Sequence, residues 1–355
     1  MLTLTETALG ALTRSWRYRI NVQSWLGGEL LAADIPVVDG GEEIDRSLRV
    51  PERVSLTVPR VDRGFSWDPV ESDHPLAAYG QRLWVRVGID VGSTTEWAMR
   101  GEYLITDSAT DGDTVQIEAA GLLQLVDEAR LSSPFQPSGT FVSTLRALVE
   151  PALTVLVEDA PSDRSVPAAM NWDEDRLGAV LELLDTWPAR ADVTGDGYLV
   201  VTEAEDSTDP VLALTDGSGG NVTRWGGQSS RDGCYSIVVA RGTASDGGQL
   251  QAVAYERNEP VDINGPFNPL PVPYFYFSPL LTTYAECQTA ANTRLANLRR
   301  DRATRITATC VPHPGLQTGD AVTVTGRGYD GALAIVERMS LPYLPGEMSL
   351  TLRIV

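Results

Sequence analysis

The sequence predicts a mainly β protein with an α+β insertion, built as two β modules, an N-terminal barrel or sandwich and a C-terminal closed barrel, around a mixed middle domain. Three observations carry this. Apolar and polar residues alternate through both outer thirds of the 355-residue chain; helical spacing of apolar residues is confined to the middle and to one segment near residue 290; and glycine, proline and Asp-Gly turns separate the alternating runs. A chain of this length outgrows a single core, so two or three domains are expected. The boundaries predicted are 1–131 for an N-terminal β-barrel, 132–223 for an acidic α+β domain, and 224–355 for a C-terminal β-barrel carrying a proline and aromatic arm at 258–279 and one helix at 280–300.

In the first third, Tyr18, Ile20 and Val22 alternate, as do Val54, Leu56 and Val58 between Pro51 and Pro59, then Leu83, Val85 and Val87. Val115 and Ile117 follow the Asp111-Gly112-Asp113 turn. Side chains two apart share one face of a strand, so each run buries one face and wets the other.

In the middle, Asn171 or Asp173 is placed to cap a helix through Trp187 with Leu177, Val180, Leu181 and Leu184 on its inner face, and Pro188 ends it. A hairpin follows over Ala191 to Glu203, turning at Thr194-Gly195-Asp196-Gly197 before the apolar run Tyr198 to Val201.

From Gly233 the pattern is β again, with Ser236–Ala240 and Gln251–Tyr255 flanking a polar loop. Pro260, Pro266, Pro269, Pro271 and Pro273 then lead into Tyr274-Phe275-Tyr276-Phe277 and Pro279. Proline removes ladder donors, so this arm belongs at a sheet edge, with its aromatics either in the core or anchored on a neighbouring subunit. Next, Thr283 and Glu286 form a capping box for a helix whose Tyr284, Cys287, Ala291, Leu295 and Leu298 make one stripe. Arg299, Arg300, Arg302 and Arg305 gather where the helix ends and suit its partial negative charge. Strands close the chain: Ile306, Ala308 and Cys310 share a face, and Met348, Leu350, Leu352 and Ile354 alternate with polar residues.

Composition excludes several function classes. Net charge is −20, and residues 150–216 alone hold 16 acids against Arg164, Arg176 and Arg190, a net −13. No basic stripe is available to displace counterions from phosphate, which argues against a nucleic-acid-binding surface but permits an acidic or neutral conduit for DNA. All 28 basic residues are arginine, so phosphate-loop and Schiff-base lysines are impossible. Cys234, Cys287 and Cys310 are scattered and read as small core residues; only His74 and His313 could join them at a metal. Residues 1–6 lack the basic and apolar segments of a signal peptide and no run reaches membrane-spanning length, so a cytosol-like compartment is expected.

Three motifs resemble ligand sites, and each has a plainer explanation. Gly326-Arg327-Gly328-Tyr329-Asp330-Gly331 matches a dinucleotide fingerprint, but too few residues follow it for that fold, and a hairpin loop is expected. Ile89-Asp90-Val91-Gly92-Ser93-Thr94-Thr95 looks like a phosphate turn of the actin and sugar-kinase superfamily without its partner motifs, which leaves a strand-to-strand turn. Asp192, Thr194, Asp196 and Glu203 approximate a calcium loop, yet Tyr198–Val201 favours a strand over an exiting helix. No nucleophile elbow is present, and 48 acids single out no catalytic pair; neither a cofactor nor an enzymatic activity is expected.

Two segments carry a family resemblance. Gly315-Leu316-Gln317-Thr318-Gly319-Asp320-Ala321-Val322-Thr323-Val324, followed by Gly331-Ala332-Leu333-Ala334-Ile335, resembles the turn and return strand at the C-terminal end of phage tail hub proteins, among them late-control baseplate hubs and hub-like minor tail proteins. Trp97 to Asp107, Val115 to Ala119 and the helix after Gly121 look like the same family's N-terminal barrel, in the same order. The resemblance implies two tube-like barrels per subunit, and a homotrimer ring that continues the DNA channel at the distal end of a tail tube. It implies as partners the tail tube or distal tail protein, the tape-measure protein, and tip or fibre proteins, with DNA only as passing cargo. It also implies a virion protein of the tail tip, assembled in the host cytoplasm and not inserted in a membrane, with Tyr274, Phe275, Tyr276 and Phe277 as the expected subunit interface. Two rivals are a cell-wall glycan-binding or peptidoglycan-degrading tip protein, and a nucleotide-dependent enzyme using Asp90.

Overall fold

The computed structural model describes all residues except 1, 3, 15, 168–169, 205, 229–230, 232, 245, 267–269, 279–280 and 302–304. Pro269, Pro279 and Arg302 of the sequence reading therefore lie outside the described residues. The contacts divide the chain into two units: residues 1–166, 172–226 and 306–355 form the first, and residues 167–171 and 227–305 the second.

The first unit opens with a short helix that the sequence reading missed, α1 (Glu6–Leu12), N-capped by the Thr5 hydroxyl. The strands then run β1 (Tyr18–Leu26), β2 (Glu29–Ala32), β3 (Asp39–Asp45), β4 (Glu52–Pro59), the ribbon β5 (Val61–Asp62) and β6 (Phe65–Ser66), β7 (Arg82–Val91), β8 (Thr94–Asp111) and β9 (Thr114–Gly121). The predicted alternation holds: Val22, Val54, Leu56, Val58, Leu83, Val85, Val87, Val115 and Ile117 are all buried in one cluster closed by Tyr103 and Tyr343. The short helix α2 (Leu123–Glu128) follows β9 as expected.

The acidic stretch builds a small α+β layer from α3 (Phe141–Val149), β10 (Thr154–Val157), α4 (Arg176–Thr186), β11 (Ala189–Val193) and β12 (Tyr198–Glu203), with β10 parallel to β12 and β12 antiparallel to β11. α4 differs from the reading in two details. Its cap is Asp175, whose Oδ1 accepts from the Gly178 amide at 2.9 Å. Its inner face holds Leu183 beside Leu177, Val180 and Leu184, while Leu181 is exposed, so the buried stripe lies toward Leu183. β13 (Pro210–Thr215) then leaves this layer and runs parallel to β19 (Ala321–Gly326), a pairing that no local signal announces.

After β14 (Val222–Gln228), the second unit contributes β15 (Ile237–Thr243), β16 (Gln249–Tyr255), β17 (Pro273–Phe277) and α5 (Tyr284–Asp301). β15 is central, antiparallel to β16 and parallel to β17, and Cys287, Ala291 and Leu295 of α5 pack on Val238, Ala240, Ala252 and Ala254. The capping box is present, with the Thr283 hydroxyl accepting from the Glu286 amide at 3.2 Å and Glu286 Oε2 accepting from the Thr283 amide at 3.0 Å. Tyr284 is a correction. It lies in the first turn and is exposed, so the buried stripe begins at Cys287.

The chain re-enters the first unit through β18 (Arg305–Cys310), then β19, β20 (Tyr329–Pro342) and β21 (Met348–Ile354). Ile306, Ala308, Cys310, Met348, Leu350 and Leu352 fall in one cluster, as the alternation required. The fold class, mainly β with an α+β insertion, is as predicted. The two-barrel arrangement is not confirmed. The N- and C-terminal strands join in a single 13-stranded sheet whose path runs β14-β18-β21-β20-β3-β4-β9-β8-β7-β1-β2, with β13 and β19 branching from β20. Two separate cores lie along it, and among the described residues no closed barrel is found.

Candidate functional site

The two halves of the sheet meet at β3 and β20. β3 and β20 pair antiparallel from Arg338 opposite Asp45 to Pro342 opposite Gly41. Glycine is required at this crossing. A Cβ on Gly40, whose φ is +144°, would sit 2.4 Å from the Ser55 carbonyl oxygen, and one on Gly41 would sit 2.8 Å from that of Leu341.

Beneath the join lies a buried ion pair. Arg100 of β8 donates from Nε to Glu42 Oε1 of β3 at 2.7 Å, and its Nη1 donates to the carbonyl oxygens of Pro314 and Leu316. Tyr103 and Tyr343 both donate to Glu42 Oε2, at 3.0 and 3.3 Å. The pair is 1% and 6% exposed at Glu42 and Arg100, so its polar groups are satisfied by protein alone. Burial first, then the Glu42 charge, pushes both tyrosine hydroxyls well above the usual phenol range, so they remain donors at any physiological pH. One guanidinium thus ties the N-terminal strands to the 314–316 turn of the C-terminal half.

Nearby, Glu52 at the start of β4 carries a buried Oε2 with no hydrogen-bond partner. Desolvation raises its carboxyl to about 7, with Asp192 and Glu42 adding to the rise. Gly121 makes room for it, since a Cβ there would lie 2.1 Å from that oxygen.

The acidic stretch is not loose charge. Arg49 reaches Asp127 at 3.0 Å and Asp175 at 2.5 Å, Arg353 reaches Asp206 at 2.6 Å, and Arg190 bonds Asp192 at 2.7 Å. Arginines spread over distant segments thus neutralise part of the segment whose net −13 stood out in the sequence. The Arg49 and Arg353 pairs were not legible beforehand, because their partners lie as far apart as residues 206 and 353, whereas Arg190 and Asp192 are two residues apart on one strand.

The residues singled out from sequence fall as follows. Asp192, Thr194 and Asp196 lie at the β11–β12 turn, but Glu203 pairs with Ala189 at the other end of the hairpin, so the four do not converge. Among the described residues no group of three or more His, Cys, Asp or Glu could hold a metal. Asp90 bonds Arg19 and Thr95 beside the β7–β8 turn. Arg327 and Gly328 form the β19–β20 hairpin turn, with Gly326 opposite Tyr329. His313 is buried, as are Cys234, Cys287 and Cys310, none of them in a disulfide. Tyr274–Phe277 form β17, an outer strand that alternates: Tyr274 and Tyr276 pack inward, whereas Phe275 and Phe277 are 58% and 64% exposed. Arg241 lies over the Phe275 ring at 4.9 Å.

No protein-family model matches the sequence, and no curated protein matches it significantly. Solved structures do match the whole fold. A tail protein from Neisseria meningitidis superposes with a TM-score of 0.67 at 16% identity, covering 95% of this chain and 97% of that one. The prophage MuSo2 tail protein from Shewanella oneidensis gives 0.62 at 14% identity over 94% and 98%. A prophage tail protein from Listeria monocytogenes gives 0.56 at 12% identity over 93% and 94%. The chain has the fold of phage tail proteins, in agreement with its sequence resemblance to the tail hub family.

Proposed function

We propose that this chain is a structural virion protein that forms the hub ring at the distal end of a phage tail tube. The observation that carries the reading is end-to-end agreement with tail proteins, together with a long sheet whose path ends in β2 and β14, each with one strand partner among the described residues. An unpaired strand edge is a template for another chain, and a closed ring of copies leaves no such edge open.

In this proposal three copies assemble. Each half of the sheet acts as one tube-like module, and six modules present a pseudo-sixfold face to the tail tube or distal tail protein. The ring continues the DNA channel, receives the end of the tape-measure protein and holds tip or fibre proteins. Its role is to assemble and gate, not to catalyse. Phe275 and Phe277, projecting from an edge strand, serve as the subunit anchor.

Particle mass measurement and class averages of the purified chain, alone and in isolated tails, test the ring. A threefold annulus supports it, and an F275S/F277S variant that folds but stays monomeric assigns the anchor. A chain that is monomeric within the tail would refute the ring.

A further inference from the structure

The outward face of β1, β7 and β8 carries a cleft that the proposed assembly role does not use. Its volume is about 320 Å³, and its walls are Trp25, Trp84, Arg82, Glu102 and the turn glycines Gly28 and Gly80. Strand register builds it. Trp84 of β7 stands between Gln23 of β1 and Glu102 of β8 in one cross-strand row, and Trp25 faces Arg82 in the next. The opposite face of the same strands is the buried core, so these side chains project away from it.

The indole rings lie 5.4 Å apart at 35°. Trp25 Nε1 donates to Gln23 Oε1 at 3.1 Å, which fixes that ring. Arg82 Nη1 donates to Glu102 Oε1 at 2.9 Å, and among the described residues the other guanidinium N–H groups of Arg82 make no hydrogen bond. Gly28 and Gly80 carry positive φ values of +86° and +111°, so backbone conformation calls for glycine at both turns, and the space beside Gly28 is open, with nothing within 4 Å of a Cβ built there.

We propose that this cleft binds a neutral pyranose unit of a glycan. The chemistry is specific to that class. The axial C–H face of a hexopyranose is apolar and packs on an indole, while its equatorial hydroxyls, held in a ring around that face, both donate and accept. Here indole surface, a guanidinium with unused donors and a carboxylate acceptor meet around one concave space of ligand size. The Arg82–Glu102 pair is internally neutral and the chain carries −20, which disfavours an anionic sugar or a phosphate.

Tryptophan emission of the intact chain, titrated with cellobiose and with N,N′-diacetylchitobiose, tests the assignment, since Trp25 and Trp84 report directly. Saturable quenching or a spectral shift with millimolar affinity is expected, confirmed by saturation-transfer NMR of the sugar protons. W84A should lose the response at least tenfold. W84F, which keeps an aromatic ring, and E102Q, which preserves volume, should weaken it with an unchanged thermal midpoint, and W97F should leave it intact. No saturable response to either sugar in the well-folded chain overturns the site. Equal binding by W84F, E102Q and wild type does the same. If W84A instead abolishes ring formation while the isolated chain ignores both sugars, the face is a protein interface and the proposal is wrong. Failure of the ring experiment alone leaves this titration unaffected, because it needs only the single chain.

Discussion

Replacing Glu52 by Gln isolates one buried charge. In the folded chain this carboxyl titrates at about 7, against 4.5 for its ordinary value, chiefly because burial disfavours the ionised form. Between those two pH values the folded state therefore binds more protons than the unfolded state, and stability falls as pH rises. Below 4.5 the group costs nothing; above about 7 the full penalty is present. The difference between the two values corresponds to about 3 kcal/mol. E52Q should remove that slope. Its absolute gain at pH 8 will be smaller than 3 kcal/mol, since a buried amide adds donors that cost about 1–3 kcal/mol when unpaired.

Urea denaturation at pH 5, 6, 7 and 8, followed by tryptophan fluorescence, is the appropriate assay. All eight tryptophans lie in the first unit, so the signal is specific to the unit that contains Glu52. Burial depresses the His313 imidazole, which works in the opposite direction, but subtracting variant from wild type cancels its contribution. Parallel pH profiles for E52Q and wild type would refute the argument that Glu52 is forced to ionise in a buried site.

Other outcomes follow from the same structure. R100M strands the Glu42 carboxylate in the core and should cost about 3–5 kcal/mol, whereas E42Q/R100M should cost less because no buried charge remains unpaired; both are read from urea midpoints. G40A combines a positive φ with a Cβ 2.4 Å from the Ser55 oxygen and should lose about 2–4 kcal/mol by the same measurement. Burial pushes the Cys310 thiol up to about 12, so iodoacetamide at pH 8 should leave it unmodified until the first unit unfolds, as peptide mass mapping would show.

How far the sequence could be read is clearest at single elements. The β15-β16 hairpin, the β11–β12 turn and the capping box of α5 rest on residues close in sequence, and each lies where local pattern placed it. α1 escaped notice because about two helical turns with Leu9, Ala11 and Leu12 carry no more periodicity than a loop. The cleft between Trp25 and Trp84 was equally hidden, since nothing in either strand states which neighbour it will have. For β17 the sequence showed an edge strand but not its facing, and only the fold separates the inward tyrosines from the outward phenylalanines.

Alternation by itself determined that both ends of this protein are strands with one buried face, because period two admits no other way to hide half of the side chains. It could not determine how those strands share backbone hydrogen bonds, because an N–H group is identical at every residue. Pairing β3 with β20 across some 300 residues, and satisfying Glu42 with Arg100 and two tyrosines beneath that pairing, are decisions of tertiary structure. They join the two β halves of the protein into one continuous sheet.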